Sequence, residues 1–107
     1  MIVRITNSPL INKRFRVYMD NGKKYDFGFK DPETGDFGHT YIDGADENTK
    51  FRYLARHMGN KREEKLIVNL IPSPSMFSAL LLWGNTRSIK KNALWLNKKW
   101  KQRENPP

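Results

Sequence analysis

Four polar residues in the middle of the chain have side chains suited to chemistry: Tyr41, Asp43, Arg56 and His57. A histidine acts as a general base or proton shuttle only when a second group orients its ring. The four residues include no evident nucleophile. We therefore expect His57 to be structural, hydrogen-bonded to a nearby strand, to Tyr41 or to Asp43, and we expect the protein not to be an enzyme.

The sequence contains no recognisable metal or cofactor motif. Two histidines and no cysteine exclude a thiolate zinc site, and a zinc site of another kind would need carboxylates. The acidic loop 31–36 lacks the alternating ligands and the final glutamate of an EF-hand. Glu63 and Glu64, flanked by basic residues, are typical of a solvated helix face. We expect no metal, no cofactor and no small-molecule substrate.

Basic residues dominate the composition, and their distribution is uneven. The formal net charge is +9, from 20 Lys and Arg against 11 Asp and Glu. Residues 86–107 contain seven basic side chains and one acidic side chain, Glu104. This C-terminal set consists of Arg87, Lys90, Lys91, Lys98, Lys99, Lys101 and Arg103. A field of one sign attracts either a polyanion or an acidic protein surface, and the sequence leaves both partners open.

A second basic set lies on the predicted hairpin and consists of Lys13, Arg14, Arg16, Lys23 and Lys24. Within it, Arg14 and Arg16 alternate with Phe15 and Val17. The alternation predicts that both arginines lie on the outer face of a strand. There they either bind the same anionic partner or prevent unwanted strand pairing.

The length and composition predict one small α+β domain. The 107 residues suffice for a single core. The longest apolar stretch, 76–83, is far shorter than the roughly 20 residues of a membrane span. We expect a β-rich part over 1–43, a helical part over 45–101 and a tail over 102–107, without membrane insertion. The absence of cysteine fits a reducing compartment.

Alternating apolar residues predict an antiparallel hairpin. Residues 15–19 and 25–29 each place an apolar side chain at every second position, and Asp20-Asn21-Gly22 separates them. A three-residue loop pairs Val17 with Tyr25 and puts both apolar sets on one face. A two-residue Asn21-Gly22 turn would place the sets on opposite faces and stays possible if both faces are covered. Residues 1–6 are predicted to form a further short strand.

Helices are predicted after a loop over 30–40 and a short edge strand at Tyr41-Ile42. Asp46 caps the first helix, which ends at Gly59-Asn60. Its predicted buried face consists of Phe51, Leu54, Ala55 and Met58. Residues 63–71 are predicted as a second helix, although Leu66-Ile67-Val68 is also compatible with a strand.

Two further helices follow a Pro-Ser-Pro segment. Ser73 and Pro74 begin the third helix, and Gly84 is expected to cap its C-terminus. Ser88 caps a fourth helix, which ends near Asn105-Pro106-Pro107. Its predicted buried face consists of Ile89, Ala93, Leu96 and Trp100. The fold class is therefore α+β, with an N-terminal hairpin or small sheet followed by three to four short helices.

Several short motifs carry a resemblance to a known family. They are Tyr41-Ile-Asp43, Tyr53-Leu-Ala-Arg-His57, Asn69-Leu-Ile-Pro-Ser-Pro74, Phe77-Ser78 and Leu82-Trp83-Gly84. Together they resemble a family of small uncharacterised proteins of large double-stranded DNA viruses of algae and protists, over roughly residues 13–100. Members often carry a histidine where this chain has Gly44. The resemblance implies a viral origin and a place in the particle, and it implies no reaction.

We therefore expect a non-catalytic structural component of the virion, such as a minor capsid or capsid-lining protein. It would bind neighbouring virion proteins through its basic surface, in the host cytoplasm during assembly and afterwards in the particle. The alternative is a nucleic-acid-binding protein that coats DNA without sequence specificity.

Overall fold

The protein begins with a three-stranded antiparallel sheet. The computed structural model describes residues 1–104. Strands β1 (Ile2–Asn7), β2 (Lys13–Met19) and β3 (Lys24–Phe29) lie in the order β1-β2-β3, so β1 and β3 are edge strands. Four helices follow, which confirms the α+β class.

The three-residue hairpin loop is confirmed. Val17 pairs with Tyr25 and Phe15 with Phe27, so one face of β2 and β3 carries the apolar side chains. Gly22 adopts a left-handed conformation with φ of 85°, which the bulged loop requires. Val17 and Phe27 are fully buried, and this burial selects the register.

The predicted edge strand at Tyr41-Ile42 is wrong, because Tyr41–Asp43 forms a 3-10 turn. One carboxylate oxygen of Asp43 accepts hydrogen bonds from the Thr40 amide at 3.1 Å and from the Thr40 hydroxyl at 2.7 Å. This local capping outweighs the strand preference of the two apolar residues. Gly44 ends the turn in the left-handed conformation.

Helix α1 (Glu47–Met58) is capped by Asp46, as predicted, because the Asp46 carboxylate accepts the Thr49 amide at 2.8 Å. The predicted buried face is partly wrong. Phe51 is 77% exposed, whereas the tyrosine two positions later is half-buried. The Tyr53 ring stacks on Trp83 with centroids 4.4 Å apart, and this contact turns the other side of the helix inward.

Helix α2 (Lys61–Val68) follows α1 after Gly59 and Asn60. Residues 66–68, which were also compatible with a strand, are therefore helical. Asn60 caps it by accepting the amides of Arg62 and Glu63 at 3.0 and 3.2 Å. Gly59 ends α1 with right-handed dihedrals, so the reversal between α1 and α2 depends on the asparagine cap.

Helix α3 (Pro74–Phe77) begins as predicted, with Ser73 accepting the Met76 amide at 3.1 Å. It continues into a π-helical segment, Ser78–Leu82. Gly84 is not a left-handed cap but a point of close packing. A Cβ atom there would lie 2.2 Å from the Leu80 carbonyl oxygen and 2.9 Å from the side chain of Asn92.

Helix α4 (Ile89–Glu104) is capped by Ser88, whose hydroxyl accepts the Lys91 amide at 3.2 Å. Its predicted apolar face is confirmed by the complete burial of Leu96. Trp100 is packed against the core and donates its indole N–H to the Leu70 carbonyl at 2.8 Å. The predicted tail is helical as far as residue 104, and residues 105–107 lie outside the described part of the chain.

Asn97 joins α4 to the edge strand β1. Its side-chain amide donates to the Ile2 carbonyl at 2.9 Å and its oxygen accepts the Ile2 amide at 2.8 Å, as a neighbouring strand would. Within residues 1–104, no helix combines the length and hydropathy that crossing a membrane requires.

Candidate functional site

The outward side of α4 carries four exposed lysines: Lys90, Lys91, Lys98 and Lys101. The helical period places them within about 100° of one another, opposite the buried Leu96. In the part of the chain that the structure describes, none of the four takes part in an ion pair. We call this set the basic face of α4. Lys99 lies beside it, with its ammonium 5.7 Å from the Trp95 ring.

An apolar groove of about 350 Å³ runs between β1 and α4, next to the basic face. Val3 and Leu94 line it and are each 65% exposed. Arg4 and Lys90 also line it, so the groove combines apolar surface with positive charge. The β1–α4 groove therefore offers both apolar and cationic contacts on one surface.

Arg87 and Arg103, two further members of the predicted C-terminal set, lie outside the basic face. Both form hydrogen bonds within the fold. One guanidinium nitrogen of Arg87 donates to the carbonyls of Tyr41 and Ala45, both at 2.9 Å. The same group lies 4.1 Å from the centre of the Tyr41 ring. Arg103 donates to the Asn69 carbonyl. Both arginines thus hold loops against the helical part.

Arg14 does not face solvent as predicted, because the segment 30–43 folds over it. Its guanidinium forms two hydrogen bonds of 2.6 Å with Asp43, and the side chain is 10% exposed. It also lies 4.2 Å from the centre of the Phe37 ring. These hydrogen bonds from Arg14 hold the pKa of Asp43 well below its usual range.

Arg16 forms a similar pair with Asp26, through two hydrogen bonds of 3.0 Å. The guanidinium lowers the pKa of Asp26, and a hydrogen bond from Ser8 acts in the same direction. The two arginines of the second basic set are therefore bound to carboxylates within the fold.

The motif residues Tyr41, Asp43, Arg56 and His57 do not form one constellation. Tyr41 donates its hydroxyl to Glu47, which raises the pKa of the tyrosine. Asp43 pairs with Arg14 as described. Arg56 is exposed on α1 and lines a shallow depression beside Trp83.

His57 pairs with Glu63, a residue that the sequence interpretation had assigned to a solvated face. The Nδ1 atom of His57 lies 2.8 Å from a Glu63 carboxylate oxygen. The expectation of a partner in a strand, in Tyr41 or in Asp43 is therefore wrong. The sequence signal that could have revealed this pair is the Asn60 cap. It places Glu63 in the first turn of α2, six residues after His57.

A serine lies next to the His57–Glu63 pair. The Ser75 hydroxyl donates to Glu63 at 3.4 Å, on the carboxylate rather than the imidazole. A serine nucleophile is activated by a hydrogen bond to the histidine, which this arrangement does not provide. His57 is thus an oriented imidazole without a nucleophile bonded to it.

Comparison with known proteins identifies one family. No curated protein and no solved structure matches the chain. A family model described as "Family of unknown function (DUF5754)" matches residues 3–57, which include the sheet except for Ile2 and nearly all of α1. The match covers Arg14, Asp43 and His57 and ends before the basic face of α4. This chain belongs to DUF5754.

Proposed function

We propose that the protein is a non-catalytic structural component of the virion of a large DNA virus, such as a minor capsid or capsid-lining protein. It binds a neighbouring subunit through the β1–α4 groove and the basic face of α4. The observation that carries the binding role is the group of unpaired lysines beside an exposed apolar groove. The motifs between residues 41 and 84, which resemble viral proteins, support the place in the particle.

The partner segment carries carboxylates interleaved with apolar side chains. Arg4 and Lys90 supply positive charge at the groove, and Val3 and Leu94 supply apolar surface. Edge strand β1 offers backbone groups to an extended segment, except at Ile2, which Asn97 already satisfies. A phosphate backbone would use the lysines but would leave Val3 and Leu94 in water. The exposed apolar side chains therefore favour a protein partner.

A carbodiimide cross-linker tests this proposal, because it joins lysine amines directly to carboxylates in contact with them. In purified virions we expect cross-links from Lys90, Lys91, Lys98 or Lys101 to acidic residues of another virion protein. Lys23 and Lys24, which are also exposed and lie at the hairpin tip, serve as the internal control. Absence of the protein from purified virions, or equal cross-linking at the hairpin tip, would contradict the proposal.

Non-specific DNA coating is the second candidate. It is favoured by the unpaired basic face and by Trp95, a half-buried ring beside Lys99 that a base can approach. It differs from the first candidate in its dependence on salt concentration.

A further inference from the structure

A separate groove of about 590 Å³ lies where the sheet meets α1 and α3. Its lining includes two lysines, one imidazole, two serine hydroxyls and the rings of Phe29 and Tyr53, and no acidic residue. The lysines, the histidine and the serines are Lys13, Lys30, His57, Ser75 and Ser78. We call it the His57 groove. It shares no lining residue with the β1–α4 groove.

The position of His57 in this groove is fixed from two sides. Glu63 binds Nδ1 at 2.8 Å, and the Tyr53 ring lies 4.3 Å from the imidazole. Tyr53 is itself stacked on Trp83. With Nδ1 occupied, Nε2 is the nitrogen left to contact a ligand, as an acceptor in the neutral ring and as a donor in the protonated one.

The hydroxyl groups of the groove stay neutral. Burial, together with the nearby charge of Glu63, raises the pKa of Tyr53 to about 12. Ser78 also begins the π-helical segment, and such segments often lie at functional sites. The lining therefore presents cationic and neutral polar groups, which suit a phosphate, and the adjoining carboxylate of Glu63 is bound by His57 and Ser75.

The exposed ring of Phe29 offers a ligand an apolar contact that inorganic phosphate cannot use. Its ring is 63% exposed at the end of β3, although a phenylalanine gains free energy when it is covered. A planar base stacked on this ring would cover it, and base–aromatic stacking is worth about 1–3 kcal/mol.

We propose that the His57 groove binds a nucleotide. The phosphate lies between Lys13, Lys30 and His57, within reach of the serine hydroxyls, and the base stacks on Phe29. The proposal uses a different surface from the partner-binding proposal and does not depend on it.

The test is an NMR titration of the imidazole resonances at fixed pH with adenosine monophosphate. The chain has only two histidines, His39 and His57, so a single His39→Gln variant assigns both signals. We expect saturable shifts at His57 and none at His39. Adenosine and inorganic phosphate, each lacking one half of the ligand, should bind at least about tenfold more weakly.

Matched variants locate the binding. The double variant Lys13→Gln/Lys30→Gln should weaken nucleotide binding about tenfold or more, whereas Lys23→Gln/Lys24→Gln, with the same loss of charge, should leave it unchanged. Phe29→Ala should weaken binding of the nucleotide but not of phosphate. Unmoved His57 resonances, equal effects of the two double variants, or phosphate binding as tight as nucleotide binding would overturn the proposal.

Discussion

The Arg14–Asp43 pair is the polar contact that ties the sheet to the 3-10 turn. Asp43 accepts two hydrogen bonds from the guanidinium and two from Thr40, so its carboxylate stabilises both strand β2 and the turn. The side chains are 10% and 24% exposed, so solvent screens the pair less than an exposed one. Removing one partner leaves the other charged and largely covered.

Asp43→Asn should lower the free energy of unfolding at neutral pH by about 2–3 kcal/mol, because Arg14 loses its counter-ion. The pKa of Asp43 is lower in the folded protein than in the unfolded chain. The charged carboxylate therefore stabilises the fold above about pH 4, and this contribution is lost as the pH falls through the folded pKa. The difference between variant and native protein should shrink below about pH 4.

Urea unfolding at a series of pH values measures this difference. Asp36→Asn, at an exposed loop position, removes the same charge and serves as the control. A difference that stayed constant down to about pH 2 would show that hydrogen-bond geometry, rather than charge, is responsible.

At the scale of single elements, the features that depend on local chemistry could be predicted from the sequence. The bulged hairpin loop follows from Gly22 and from the parity of the apolar residues. The caps at Asp46, Ser73 and Ser88 follow from side-chain oxygens that satisfy free amides. Each of these features requires only a few consecutive residues.

The features that depend on distant contacts could not be predicted in this way. The inward face of α1 is set by the stacking of Tyr53 on Trp83, thirty residues away in the chain. The role of Gly84 depends on the buried side chain of Asn92 beside it. At the candidate site, the basic face of α4 could be predicted from the helical period alone. The β1–α4 groove could not, because it forms only when two elements distant in the chain dock against each other.

The contribution of Asn97 to the contact between β1 and α4 can be measured with a single substitution. Asn97→Ala removes both hydrogen bonds to Ile2 and should accelerate exchange of the Ile2 amide proton about tenfold, which corresponds to about 1.4 kcal/mol of local stability. Hydrogen exchange followed by NMR measures the effect. Asn85→Ala changes an exposed asparagine and should leave Ile2 unaffected. Unchanged protection of Ile2 in Asn97→Ala would show that apolar contacts alone hold β1.

At the scale of the whole molecule, two arginines of the sheet differ from the lysines of α4 in whether they form ion pairs. The two N-terminal arginines that the sequence suggested for binding pair with aspartates inside the fold. Across residues 1–104, the lysines of α4 stay outside every ion pair. The lysines of α4 therefore contribute positive charge that an acidic partner can reach.

Fluorescence anisotropy with a random DNA duplex distinguishes the two candidate partners. If DNA binds, log affinity should fall linearly with log salt, and Lys90→Glu/Lys98→Glu should flatten the slope by about 2. Lys23→Glu/Lys24→Glu changes the net charge equally and should leave the slope unaltered. Absence of binding at about 50 mM salt would leave the basic face to an acidic protein.

The two hydrogen bonds between Asn97 and Ile2 join residues 95 positions apart. During translation, β1 therefore leaves the ribosome long before the helix that completes its groove. Until α4 has emerged, the amide and carbonyl of Ile2 remain hydrated and the β1–α4 groove does not exist. A nascent chain thus cannot engage a partner through this surface, and any assembly that uses the groove begins only after α4 has been synthesised.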